Sequence, residues 1–587
     1  MKKIFMMLTA LSIMGCSDSM PTNGEMQSST KAKSGGVNVI TSSIVSDPAN
    51  DPYSIENMSK AMRKQILAKS AADSQEVEQL TLEPNYLHVR FLAEGKRGVA
   101  ELKAYDTSLV LFKHPLDYKR IPKPVIYKDP TLPDSIIPMF ATVPVDYKFG
   151  PTKYDVVKEL FLIEPLDDDC EDDDCSDDVD STMAVRALAK KAAEKSNGTL
   201  LEKLNDMGIS LRDVEWESLS MTGNLDDRLG KTKIRSDEGP VLAWSLFGGG
   251  RKLGGHLTFE DDLLGVQPLV GVRVTGGYSY YWREAHTDNN GYFKIPEKWT
   301  FSIDYEANFD ADDFLLEDGH SGYGEDLEIE HNNYKSDWKE TFTGDKAKWC
   351  VVWTAAYQYW YGDNFGLKRP RQNTATNWSL DIEVYYKNDK DYKSLVSKDA
   401  LIGCNAGNSV GQYANLGIFE NICILAYRRS SQDIFGTTVH EVAHSSHYWN
   451  MKTTNAALPQ AAEFALLDTD YRETYARGIQ NYFIKERYNN DSLDYRVHSG
   501  GKDKYTYTDL VEDLYDNDNS SRCDKISDEK KRDKVSGFPI TSIETAFFQN
   551  KKFSTMKSYL MKKNASGKNG VKYTSTDMDN LFKCWGL

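Results

Sequence analysis

A chain of 587 residues is longer than one hydrophobic core supports, and its 40% apolar and 11% aromatic content excludes a disordered or fibrous protein. Seventy-one basic residues against 88 acidic ones give a formal charge of -17, with no Lys/Arg stripe of the kind that tracks phosphates, so nucleic acid is not an expected partner.

The chain opens with Lys2 and Lys3, an apolar run from Ile4 to Met14, then Gly15 and Cys16. The run is too short to cross a bilayer and has the length of a signal-peptide core. Gly15-Cys16 resembles the bacterial lipoprotein processing box, with Met14 where a small residue is usual. The resemblance implies a lipoprotein signal segment over residues 1–16 that is cut just before Cys16, a lipid on the retained Cys16 sulfur, and anchorage to the membrane by that lipid. Ser17, in place of the Asp that retains such proteins in the inner membrane, implies the outer membrane, with the chain exported and able to face outward.

Residues 17–82 read as a Ser/Thr/Asn/Gly-rich tether followed by a charged surface helix over Ile55 to Leu80. Residues 83–165 carry short apolar runs, and nine of the 19 prolines fall between Pro115 and Pro165, so a small β-rich domain is predicted. It is similar to N-terminal modules of exported Bacteroidota lipoproteins. Residues 166–240 form an acidic loop and helical linker. Ten of the fourteen residues from Asp167 to Asp180 are acidic, but they lack the Gly and Glu register of a calcium loop and read as a solvated insertion before a helix over Ser181 to Met207.

Residues 241–310 alternate apolar and polar on both sides of Asp288-Asn289-Asn290-Gly291, the pattern of a β-hairpin or β-arch. Together with Pro268-Leu269-Val270-Gly271-Val272 the stretch resembles the transthyretin-like, carboxypeptidase-regulatory-like β-sandwich, which implies a structural or adhesive module. Tyr278, Tyr280, Tyr281 and Trp282 are packing residues or, alternatively, a sugar or peptide platform. Seven cysteines follow Cys16; Cys170 and Cys175 can close a local loop, and the other pairings are not legible.

Residues 331–587 hold the chemistry. An apolar helix over Trp349 to Tyr361, a strand over Ser379 to Tyr386 and an apolar strand over Ile422 to Tyr427 lead to a helix capped by Asp433. That helix carries His440-Glu441-Val442-Ala443-His444. Residues four apart share a helix face, so His440 and His444 can aim at one ion while Glu441 reaches a water beside it, the pattern of a Zn2+ hydrolase.

A catalytic zinc takes a third protein ligand. His447 lies about 10.5 Å along the axis from His440, too far for a straight helix. Glu473-Thr474-Tyr475-Ala476 resembles the Glu-x-x-Ala signature of bacterial gluzincins, in which small residues, here Ala476 and Gly478, let two helices cross. We favour Glu473 over Glu463 and His447; the alternative for Glu473 is a surface acid paired with Arg477. Tyr475, His498, Tyr505 and Tyr507 are candidates for stabilising an oxyanion.

The expected fold is therefore multidomain, with β-rich N-terminal modules including a transthyretin-like sandwich, followed by an α+β zincin domain. The expected function is a zinc metallopeptidase acting on a protein or glycoprotein, with metal ligands His440, His444 and Glu473 and catalytic base Glu441. The alternative is a surface binding or adhesion lipoprotein built on a zincin scaffold.

Overall fold

The computed structural model describes residues 38–69, 74–163, 197–225, 251–320, 325–370, 380–388, 403–405, 421–453, 463–489, 508–515, 523–565 and 573–587, apart from positions 122, 124, 335, 465, 524 and 525. Cys16, the acidic run 167–180, the Cys170/Cys175 pair, His498, Tyr505 and Tyr507 lie outside them. The architecture is a mixture of β-sheets and helices.

The first part holds β1 (Asn38–Ile40), α1 (Ile55–Lys69), α2 (Ser74–Glu78), β2 (Tyr86–Glu94), α3 (Gly95–Tyr105), β3 (Val125–Tyr127), β4 (Ile136–Pro144), β5 (Tyr154–Leu160) and α4 (Leu211–Met221). The helix expected over Ile55 to Leu80 is thus two helices. Strand β2 is the centre of an antiparallel sheet in the order β4-β2-β5, and Leu102 of α3 packs on its Val89 and Phe91.

A β-sandwich follows. Strands β6 (Arg251–Asp261), β7 (Gly265–Pro268), β8 (Arg273–Tyr278), β9 (Tyr281–His286), β10 (Tyr292–Trp299) and β11 (Ile303–Asn308) are completed by β14 (Glu328–Tyr334) and β15 (Trp338–Phe342). One sheet has the order β10-β6-β15 with β7 on β6, and the other β14-β11-β8-β9. Their inner faces meet where Phe293 and Trp338 of the first sheet stand 5.9 and 6.0 Å from Tyr305 of the second, ring centre to ring centre. Tyr278, Tyr280 and Tyr281 are buried, and Tyr280 donates to Asp51 Oδ2 at 2.6 Å, so these three side chains are packing residues rather than an open platform.

The boundary expected at residue 310 needs correction. Between β11 and β14 the chain leaves the sandwich to form β12 (Phe314–Asp318) and β13 (Glu325–Asp326), which belong to a different sheet, and it then returns. With β16 (Leu380–Tyr385), β17 (Gly403–Asn405) and β18 (Asn421–Leu425) they make a five-stranded sheet in the order β13-β12-β16-β18-β17. Its three central strands are parallel and its two edges antiparallel. Ile422, Ile424 and Leu425 are all buried, as befits a strand covered on both faces.

Helix α5 (Gly344–Trp360) lies on this sheet, with Trp353 and Trp360 about 5 Å from Phe314 of β12. Further helices are α6 (Ser431–Asn450), α7 (Thr469–Tyr488), α8 (Leu510–Tyr515), α9 (Ile540–Gln549), α10 (Phe553–Ala565) and α11 (Ser575–Cys584). A Cys523–Cys584 disulfide ties α11 to the segment ahead of α9. No helix among the described residues is long and apolar enough to cross a membrane.

Candidate metal centre

Helix α6 begins one turn after β18. Its N-cap is Ser430, whose side chain accepts from Asp433 N at 3.1 Å; Asp433, expected as the cap, sits in the first turn instead, where its charge suits the helix dipole. The sandwich grips this helix start, since Asp262 N donates to Ser431 Oγ and Ser431 N donates to Asp262 Oδ1. Neighbouring Asp261 accepts from Tyr488 Oη at 2.9 Å, at the end of α7. Two adjacent aspartates of one β-turn thus hold the helix pair at its far end.

The two helices cross at Gly436, not at Gly478 as expected. A Cβ on Gly436 would stand 2.4 Å from Ile484 Cδ1 of α7, whereas one on Gly478 would meet Val511 of α8. Because α6 is buried from Ile434 to Tyr448 and runs unbroken to Asn450, His440 and His444 stay one turn apart on one face.

That face meets Glu473, near the start of α7. His440 Nε2 lies 3.2 Å from Glu473 Oε2, His444 Nε2 lies 3.4 Å from the same oxygen, and the two imidazole nitrogens are 3.2 Å apart. Arg477 is not the partner of Glu473, for its Nε pairs with Asp509 Oδ1 at 3.1 Å. Burial opposes charge on Glu473, but His444 and His440 together outweigh it and hold the carboxyl well below the ordinary range.

The donor set fits zinc. Three donors about 2.0–2.1 Å from one tetrahedral ion stand about 3.3 Å from one another. The observed triangle of 3.2, 3.2 and 3.4 Å has that size. Two lone-pair nitrogens and a carboxylate converging this closely need a cation or a shared proton between them. Glu441 is buried beside them; burial pushes its carboxyl up to about 7, with His440 opposing and Glu473 adding to the rise.

The other candidates point elsewhere. Glu463 is buried in an ion pair with Lys551. His447 is enclosed by aromatic rings, and burial, with His444 and Arg472 adding, pushes its imidazole down to about 3. Tyr475 donates to Glu544 Oε1 at 3.2 Å.

Sequence reading missed Glu544. It is 1% exposed, its two oxygens accept from Lys368 N at 3.0 and 3.1 Å, and Lys368 O in turn accepts from Ser446 Oγ at 2.5 Å. Through Tyr475 and Ser446 this carboxylate joins both helices of the centre. A signal was present, because Glu544 falls on the apolar face made by Ile540, Ile543 and Phe547 at helical spacing. Comparison with protein-family models, with curated proteins and with solved structures found no match.

Proposed function

We propose that the chain is a zinc-dependent endopeptidase, with His440, His444 and Glu473 holding the ion and Glu441 acting as general base. The observation that carries this reading is the triangle of three donors, with the dimensions of a tetrahedral zinc site, next to an enclosed carboxylate on the same helix. When bound, zinc would lower the pKa of a water toward 7 and polarise a substrate carbonyl. Glu441 takes the proton of the attacking water and passes it to the departing amine, a role open to a buried carboxyl beside the donors. Glu473 offsets one unit of the ion's charge, and α7 holds it against the histidine face.

In this proposal the five-stranded sheet with α5, α6 and α7 is a zincin-type catalytic unit, and the sandwich is a transthyretin-like module whose Asp261-Asp262 turn steadies the helix pair. Cys16 carries the lipid, and the protein works at the outer membrane on polypeptide or glycoprotein substrates. An adhesion protein on the same scaffold would have no use for Glu441 beside the donors.

The test uses the full chain. Purified protein should hold one zinc and cleave an unfolded protein such as casein, and Glu441→Gln should keep the zinc and lose turnover by about four orders of magnitude, the upper end for a general base. Casein cleavage at the wild-type rate by Glu441→Gln would sink the assignment.

A further inference from the structure

His447 is fully buried, yet neither of its ring nitrogens meets a hydrogen-bond partner among the described residues. Its walls are rings: Phe548 stacks on it at 5.3 Å, while Tyr475 and Phe464 stand edge-on at 5.0 and 5.3 Å. A neutral imidazole always carries one N–H and one lone pair, and leaving either unmatched inside a protein costs free energy. Phenylalanine would fill such a cage at no polar cost. Packing alone therefore does not account for a histidine here.

A second orphan lies one turn away. His444 turns Nε2 toward His440 and Glu473, and its other nitrogen, Nδ1, is also buried without a partner among the described residues. Residues three apart on a helix are neighbours, with about 5–6 Å between their Cβ atoms. An imidazole that offers the Nε2 lone pair to a metal must keep its proton on Nδ1, and the acceptor of that proton fixes both the tautomer and the ring plane.

We propose that His447 is a positioning residue for the metal centre: a ring nitrogen of His447 accepts the Nδ1–H of His444, directly or through one water, and so holds Nε2 of His444 ready to bind. The inference rests on the reading of His440, His444 and Glu473 as a metal site. One interaction then satisfies two of the three buried nitrogens, Nδ1 of His444 and one ring nitrogen of His447. It also explains why a polar side chain occupies an aromatic cage.

Full-length protein labelled with 15N-histidine, the His444 signals being identified from His444→Gln, reads the tautomer directly. The metal-free wild type should show His444 in the Nδ1–H form, and His447→Phe should show a mixture. Zinc affinity of His447→Phe should fall about 10–100-fold, the usual effect of removing a ligand's hydrogen-bond partner, while its Tm rises. His447→Gln, which keeps an acceptor in the cage, should recover most of the affinity. If His447→Phe does not fold, His447→Met fills the cage more adaptably and carries the same comparison. An unchanged His444 tautomer together with unchanged zinc affinity would overturn the proposal. Absence of zinc binding by the wild type would instead defeat the metal reading, and the tautomer comparison in metal-free protein would still decide the role of His447.

Discussion

Glu544→Gln should make the protein more stable at alkaline pH. The carboxyl of Glu544 is pushed up to about 7 from 4.5 because burial outweighs the help it gets from Lys368 N, the Tyr475 hydroxyl and the Lys368 charge. Below pH 4.5 the group is neutral in both folded and unfolded chains and does not affect the balance. Between 4.5 and 7 the unfolded chain releases the proton that the folded chain keeps, so the folded state binds more protons and stability falls as pH rises. Above 7 the full penalty is present. A shift of this size corresponds to about 3 kcal/mol at 1.36 kcal/mol per unit.

Glutamine has the same shape, and its carbonyl oxygen can still accept from Lys368 N. It gives up one acceptor oxygen, which returns about 1 kcal/mol of the gain. The expected net gain is about 2 kcal/mol at pH 8, shrinking to nothing or a slight loss at pH 4.5. Urea unfolding of both proteins across that range, followed by fluorescence, measures the difference as a shift in midpoint. A gap between the two curves that does not change with pH would refute the reasoning, for it would mean that Glu544 is already ionised in the folded chain at pH 5.

Replacing Cys523 and Cys584 by Ser opens a loop of 61 residues, and chain entropy alone predicts a loss of about 4 kcal/mol, to be read as a lower Tm than that of the oxidised wild type. Gly436→Leu forces a side chain into the place where α6 meets Ile484 and Gln480; it should cost about 2 kcal/mol by overpacking and weaken zinc binding as α7 carries Glu473 away. Zinc affinity equal to that of the wild type in a destabilised Gly436→Leu protein would show that the centre does not depend on this crossing.

Local pattern was readable where one element decides its own fate. The apolar run from Ile422 to Tyr427 and the His440/His444 spacing are properties of a few neighbouring residues; the run gives a strand, which ends at Leu425, and the two histidines stand one turn apart on one helix. Glu473 required a resemblance, since nothing in its own helix shows which of many acids faces the histidines. Domain limits were the least legible part. Phe314 to Leu316 look like any strand, and periodicity does not tell which of two sheets a strand joins. The cap at Ser430 was missed for a similar reason, because Ser430, Ser431 and Asp433 are all good caps and only the turn leaving β18 selects among them.

The strand exchange between sandwich and five-stranded sheet has a consequence for how the protein is made and how it can be cut. Sandwich strand β15 aligns Trp338 with Gly255 of β6, so during synthesis β6 must wait until β12 and β13 have emerged before its parallel neighbour arrives. Those two strands wait in turn for β16 and β18. Each unit therefore matures only in the presence of the other, and a protease nick between residues 310 and 331 would not free an intact C-terminal half. Severing the chain at His331 strips β12 and β13 from one sheet and leaves β15 without β6 in the other, so the protein behaves as a stitched pair that works whole or not at all.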